Sequence, residues 1–302
     1  MSKVLNPFYV HRSPTGNNDS RSEKVSLAQM NRPDFDFKAH FRPDLLFEDN
    51  NWWICRKAKP WAALDCMIVD SSAEIRSSFD EFDEGGLSRL FYLCRKTTDI
   101  ISSFENVEKV IIGANINHRR AGLPLDEVLL RLHLHVLGIS LGEIEKMTEV
   151  NFDELEKRDP GAKDRLIDPK SEGFCRRLEN PIAEIFKDNS ISANPEAGGM
   201  GIKFLFPEGL EIFNREGFAR AIRKIDILIQ KKFPDISYSF CFLQDSGKLS
   251  LALAPRSVFG KGVLEAIGIV LMRDETETIS GEGRRKREEF FTEIAKMNKA
   301  KL

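Results

Sequence analysis

Two histidines and an arginine on one face of one short segment are the residues of this chain best placed to do chemistry. They lie in Leu130-Arg131-Leu132-His133-Leu134-His135-Val136-Leu137-Gly138. Apolar residues at every second position mark a half-buried strand. Leu130, Leu132, Leu134 and Val136 then face a core, and Arg131, His133 and His135 face the other way together, at steps of about 7 Å. A neutral imidazole can serve as nucleophile, general base or metal ligand, and a guanidinium is a permanent cation suited to phosphate or carboxylate. The whole chain has five histidines, so two on one strand face single this segment out. The competing reading is a pair of structural histidines satisfied by hydrogen bonds. A shared metal ion would need a further Asp, Glu or Cys ligand, and none is evident nearby, so no metal is expected.

The segment upstream strengthens the first reading. Val110 to Asn117 alternates as a strand, with Val110, Ile112, Ala114 and Ile116 on the core side and Gly113, Asn115 and Asn117 sharing the other. The loop that follows, from His118 to about Val128, opens with His118-Arg119-Arg120 and is long for a connection between neighbouring strands. A long loop beside a polar strand face costs ordering entropy and returns little to the fold, which suggests a site. Asn115, Asn117, His118, Arg119, Arg120 and Arg131 are the candidate substrate-binding residues, and His133 and His135 the candidate catalytic ones. A solvated loop accounts for the cations equally well.

The elements that must position these residues are legible in the patterning. Residues 1–44 read as an irregular arm. Trp52 to Arg56 and Cys66 to Asp70 read as strands, and the helix after Gly86 keeps Leu87, Leu90, Phe91, Cys94, Ile101 and Phe104 at helical spacing. Residues 45–150 form a first half carrying the candidate site, and charged residues 151–173, with Pro160, Gly161 and Pro169, read as a linker. The order then recurs over 174–302: a strand from Gly201 to Phe206, a helix from Glu216 to Phe233, a strand from Ile236 to Leu243, a tight turn at Asp245-Ser246-Gly247, and a strand with Leu249, Leu251 and Leu253 inward. In that second half the face matching the histidines carries Ser250, Ala252 and Ala254, so it reads as a degenerate partner. A terminal helix begins near Arg284. The fold class expected is α+β, with antiparallel sheets and helices in two tandem halves.

Composition narrows the partners. A net charge of −2 over 302 residues gives no overall field for nucleic acid or an anionic membrane, so an anionic ligand must be held locally. No apolar run approaches a membrane span, and the first ten residues lack a signal-peptide core. Five scattered cysteines, odd in number and without a C-x-x-C pair, fit reduced thiols in a cytoplasmic protein.

Asn115-Ile116-Asn117, Ala121-Gly122 and Leu132-His133-Leu134-His135-Val136-Leu137-Gly138 together resemble the histidine-triad (HIT) superfamily of nucleotide hydrolases and transferases. The resemblance covers roughly residues 45–140, and the double layout is similar to the galactose-1-phosphate uridylyltransferase and dinucleoside polyphosphate phosphorylase branch. It implies a HIT-like fold and a nucleotidyl or phosphoryl transferase or hydrolase acting on a phosphoanhydride. His133 would be the nucleophile, and His135 the contact to phosphate and leaving-group oxygens. It implies no cofactor, a phosphorylated small molecule or nucleotide as partner, and room for a homodimer, which two halves in one chain could replace internally. The chain departs from the pattern in four places. Arg131 stands at the first triad histidine, Leu123 follows the Ala-Gly, Asp65 replaces a histidine, and Lys57 falls near the ribose-binding acid. Arg56 and Lys57 would favour a ligand richer in phosphate or carboxylate. The other functional class these departures support is a catalytically silent HIT-like protein that binds a phosphorylated ligand or a protein partner.

Overall fold

The computed structural model describes residues 26–49, 51–57, 60, 62–122, 129–140, 147–149, 157–160, 169–196, 201–256, 269–271 and 281–298. In chain order these form α1 (Leu27–Met30), α2 (Phe37–Phe41), β1 (Leu45–Glu48), β2 (Trp52–Arg56), β3 (Leu64–Asp70), α3 (Glu84–Ser102), β4 (Val107–Ile116), β5 (His133–Ser140), β6 (Met147–Glu149), α4 (Phe174–Asp188), β7 (Asn194–Glu196), β8 (Ile202–Phe206), α5 (Phe218–Lys232), β9 (Tyr238–Asp245), β10 (Lys248–Pro255), β11 (Ile269–Leu271) and α6 (Gly281–Lys296). Leu123 to Val128 and most of the expected linker lie outside the described residues, as does the arm before Ser26.

Nine of the strands make one sheet in the order β1-β2-β3-β5-β4-β9-β10-β8-β7. Every pairing in it is antiparallel. The sequence β3-α3-β4-β5 returns as β8-α5-β9-β10. Because β4 pairs with β9, the two halves join edge to edge, and each keeps its last strand between its first and second. This is the α+β architecture in two tandem halves that the patterning predicts.

The same alternation that reads as strands from sequence sorts the two faces. Leu132, Leu134 and Val136 join Ile112, Ala114 and Ile116, Phe240 and Phe242, and Leu249, Leu251 and Leu253 in one buried cluster shared by both halves. α3 and α5 lie on that face. Asp83 caps α3 by accepting from the Gly86 N–H at 2.6 Å, as an N-terminal aspartate does, and Leu87, Leu90, Phe91, Cys94 and Ile101 are buried. Gly138 lets α3 approach β5: a Cβ there would clash with Ile101 Cγ2. The β9–β10 turn puts Ser246 and Gly247 at φ 49 and 79, the left-handed pair that a two-residue hairpin favours.

Three helices stand where the sequence reading has none. α4 buries Phe174, Leu178, Ile182 and Phe186, a single stripe at every fourth residue, with Pro181 inside the helix. The narrow stripe, dense charge and internal proline hide it, since proline costs a helix interior a hydrogen bond. Within the expected irregular arm, α1 and α2 fold onto the other face of the sheet, where Met30, Phe37 and Phe41 pack with Trp53, Cys55, Met67, Val69 and Leu129.

Candidate functional site

His133 and His135 stand on β5, between β3 and β4, near the middle of the sheet's first half. Antiparallel partners share a face, so the registers define a row running Cys55, Met67, His135, Gly113, Cys241, Ala252. His133 and Asn115 lie two residues further on, on the same face. The regular strand begins at His133, whereas the alternation extends to Leu130. The preceding residues are held by turns instead: the Leu132 N–H donates to Arg76 O at 2.6 Å, and the Asp70 N–H to Leu132 O at 3.0 Å.

Both imidazoles are buried, with ring centroids 5.2 Å apart and planes nearly perpendicular. His133 Nδ1 lies 2.8 Å from the carbonyl oxygen of Arg131. A carbonyl only accepts, so Nδ1 carries the proton, and in the neutral ring the lone pair sits on Nε2. Burial lowers the pKa of His133 to about 4; the Arg131 carbonyl works against this and the Lys57 cation adds to it. Burial, then Lys57, then His133 hold His135 well below the usual histidine range. Both rings are therefore neutral at pH 7.

His118 joins them. Ser237 Oγ donates to Ile116 O at 2.9 Å, which uses its only proton, so it accepts from His118 Nδ1 at 2.9 Å. The His118 lone pair is then also on Nε2. Burial, Arg256 and His133, in that order, lower its pKa well below the ordinary value. Asn115 is half-buried on the same face, with Oδ1 accepting from Ser239 Oγ at 2.8 Å.

Three of the four remaining candidates are employed elsewhere. Arg131 is buried, and its Nη1 donates to the carbonyls of Ser72 at 2.5 Å, Glu74 at 3.2 Å and Asp70 at 3.3 Å. Its guanidinium also lies 3.5 Å from the Asp70 carboxylate and covers the Phe37 ring. Asn117 sits at φ 68 and donates through Nδ2 to Ile236 O at 2.8 Å, tying the end of β4 to the approach to β9. Arg120 pairs with Asp80 at 3.2 Å, and Arg119 is exposed. The structure thus sets Asn115, His133 and His135 on one face, seats His118 against Ser237, and turns Arg131, Asn117 and Arg120 toward the frame.

Lys57 and Asp65 form a buried ion pair of 3.1 Å across β2 and β3, and the Arg287 guanidinium of α6 donates to Lys57 O at 2.6 Å. Arg256, just past β10, donates its N–H to Ser237 O at 3.0 Å. Sequence reading leaves Arg256, Ser237 and Ser239 aside; the signal for them is the repeat itself, which sets the second half's outer strands beside the first half's polar face. Among the described residues no group of three His, Cys, Asp or Glu side chains could hold a metal ion, and no helix is long and apolar enough to cross a membrane.

No family model matches this chain, and no curated protein matches it. Solved structures do resemble it. A DUF4931 family protein from Bacillus cereus is 14% identical, with a TM-score of 0.44, over 83% of this chain and 99% of that one. Yeast Ap4A phosphorylase in complex with Ap4A is 12% identical, with a TM-score of 0.40, over 85% of this chain and 76% of that one. An ADP-glucose phosphorylase from Arabidopsis thaliana with bound ADP-glucose is 8% identical, with a TM-score of 0.40, over 81% of this chain and 82% of that one.

Proposed function

We propose that this chain transfers or hydrolyses a nucleotidyl or phosphoryl group of a phosphoanhydride through His133. One observation carries the reading: the bond from His133 Nδ1 to Arg131 O, in a ring held neutral, leaves a lone pair on Nε2. Nε2 attacks phosphorus, a P–N bond forms, and the P–O bond to the leaving phosphate breaks with its electron pair going to that oxygen. Water or phosphate then attacks the same phosphorus and releases His133. Asn115 and His135 supply side chains on the same face for the charge that develops on the phosphoryl oxygens.

The test is intact-mass analysis of the purified chain after mixing with nucleotides, dinucleoside polyphosphates and nucleotide sugars, with and without phosphate. An acid-labile adduct on the wild type, absent from His133→Ala, supports the enzyme, and its mass identifies the group transferred. No adduct and no turnover from the folded chain overturns it.

The placement of Arg131 favours a second reading. The first triad position is occupied by a cation whose Nη1 is committed to the turn after β3, as befits a catalytically inactive protein that binds a phosphorylated ligand or a protein partner. In that case the wild type forms no adduct and His133→Ala keeps all its measurable function.

A further inference from the structure

We infer that Ser239, from the second half, is a positioning residue of the candidate site: it turns the Asn115 amide so that Nδ2 is offered to an oxygen of the phosphoryl group that His133 attacks. The inference rests on the proposed function above. It begins where two strands part. β4 pairs with β5 as far as Gly113 opposite His135, and Asn115 and His133 are the next residues of that face on each strand. On its other side β4 stays paired with β9, through Asn115 opposite Ser239 and Ile116 opposite Tyr238. Asn115 is therefore held by the second half's strand, at the point where its ladder to the histidine strand has ended.

The two side chains meet across that pair. Ser239 is fully buried, and its Oγ donates to Asn115 Oδ1 at 2.8 Å. Among the described residues this is the one hydrogen bond that either side chain makes. A flipped amide would set Nδ2, itself a donor, against the hydroxyl and leave the buried hydroxyl proton without an acceptor. Leaving a buried donor unsatisfied is costly, so the serine decides which end of the amide faces which way. Oδ1 and Nδ2 diverge from one planar carbon. With Oδ1 turned to β9, Nδ2 is turned away from it, and β5, with His133, is the neighbour of β4 on that other side. Asn115 is only half-buried, so its free end is open to a ligand.

The polarity of that end is what the chemistry needs. The non-bridging oxygens of a phosphoryl group accept hydrogen bonds and carry the charge of the transition state. A donor fixed in advance meets them without reorganisation, whereas an amide presenting Oδ1 would repel them. The same segment repeats the device two residues earlier. Ser237 Oγ donates to Ile116 O and accepts from His118 Nδ1, which fixes the tautomer of that ring. The second half carries Ser250, Ala252 and Ala254 in place of imidazoles, yet through β9 and the residues before it, it sets the direction of polar side chains in the first half.

The test follows the Asn115 side-chain amide by nuclear magnetic resonance in the isotope-labelled full chain, titrated with inorganic phosphate. Asn115→Ala identifies the signal, and circular dichroism and melting check each variant for folding. Phosphate is expected to shift the Nδ2 signals of the wild type, and Ser239→Ala to shrink that shift by about threefold or more, because the amide is free to turn. Ser239→Cys, with a weaker donor of similar size, repeats the comparison should the alanine variant not fold. The rate of adduct formation at His133 is measured alongside. Ser239→Ala is expected to slow it by about tenfold and Asn115→Ala by about a hundredfold. The double variant should be no slower than Asn115→Ala, because the serine acts through the amide. A double variant slowed by the product of the single effects overturns the inference. So does a phosphate response that is equal in folded Ser239→Ala, or a wild-type amide that phosphate leaves unmoved. A response that depends on Ser239, in a chain that forms no adduct, sustains the positioning role and overturns the catalytic reading. Adduct formation that folded Ser239→Ala leaves unchanged does the reverse.

Discussion

His133 Nδ1 and the carbonyl oxygen of Arg131, two residues apart, stand 2.8 Å from each other. That bond fixes the tautomer of the ring, and the buried surroundings fix its charge state. The backbone of Arg131 therefore does for His133 what its side chain cannot, because the guanidinium faces the turn after β3. Whatever residue type occupies position 131, its carbonyl orients the imidazole.

The charge state makes the first prediction. The His133 imidazole, with its pKa lowered to about 4, is neutral throughout the neutral range, as the proposed attack requires. Adduct yield measured at one early time point is expected to stay level from pH 8 down to pH 5 and to fall as pH approaches 4. A fall centred near 6.5, the ordinary histidine value, would mean that the ring is solvated during reaction.

Arg131 is expected to act on stability first. Arg131→Met removes Nη1 from three carbonyls and from the buried Asp70, which keeps Arg76 at 2.7 Å. Losing donors to buried acceptors costs about 2–3 kcal/mol, read as a shift of the urea unfolding midpoint. Ligand affinity that drops with no loss of stability would instead return Arg131 to direct contact with the ligand.

Much of this fold is legible in the sequence because alternation and helical spacing are local. The strands over Trp52–Arg56, Leu64–Asp70, Val107–Ile116 and Tyr238–Asp245 and the helix α3 are readable from their own residues. α4 is not, because Pro181 and a one-residue-wide stripe weaken its period. At the site, the shared face of His133 and His135 follows from spacing, but the direction of Arg131 does not: it depends on Ser72 and Glu74, some sixty residues earlier. Asn117 likewise leaves the alternation because its φ of 68 breaks the strand. Ser239 enters only once β9 is laid beside β4, a pairing with no local signature.

Asp226 gives a pH-dependent prediction away from the histidines. It is fully buried on α5 and accepts from the Asp80 N–H at 2.8 Å, from Gln230 at 2.9 Å and from Tyr238 Oη at 2.7 Å, joining the second half to the turn before α3. Burial raises its pKa to about 6, against the hydrogen bonds that favour its charge. A raised carboxyl favours the folded state while protonated, so its contribution is whole below the unfolded value near 4 and is lost as pH rises through 6. The stability of wild type relative to Asp226→Asn is therefore expected to fall by about 2 kcal/mol between pH 4 and pH 7. Chemical unfolding of both chains across that range measures it, and a constant difference would place the carboxyl's pKa at its ordinary value.

Lys57 should affect both the frame and the chemistry, in ways that can be separated. Its ammonium lies 3.1 Å from the fully buried Asp65, and its charge lowers the pKa of both His133 and His135. Lys57→Met takes the cation from a buried carboxylate and is expected to cost about 3 kcal/mol. Lys57→Met with Asp65→Leu removes both charges and should recover most of that loss, since a buried pair replaced by apolar side chains is close to neutral. The histidines respond to the charge alone. In the double variant the imidazole titrations, followed by nuclear magnetic resonance, should move upward toward the ordinary range, because the nearby cation is gone, whereas stability is restored. Midpoints that stay where the wild type has them, in a double variant that folds, would leave burial as the whole cause of the neutral histidines and Lys57 as a residue of the frame only.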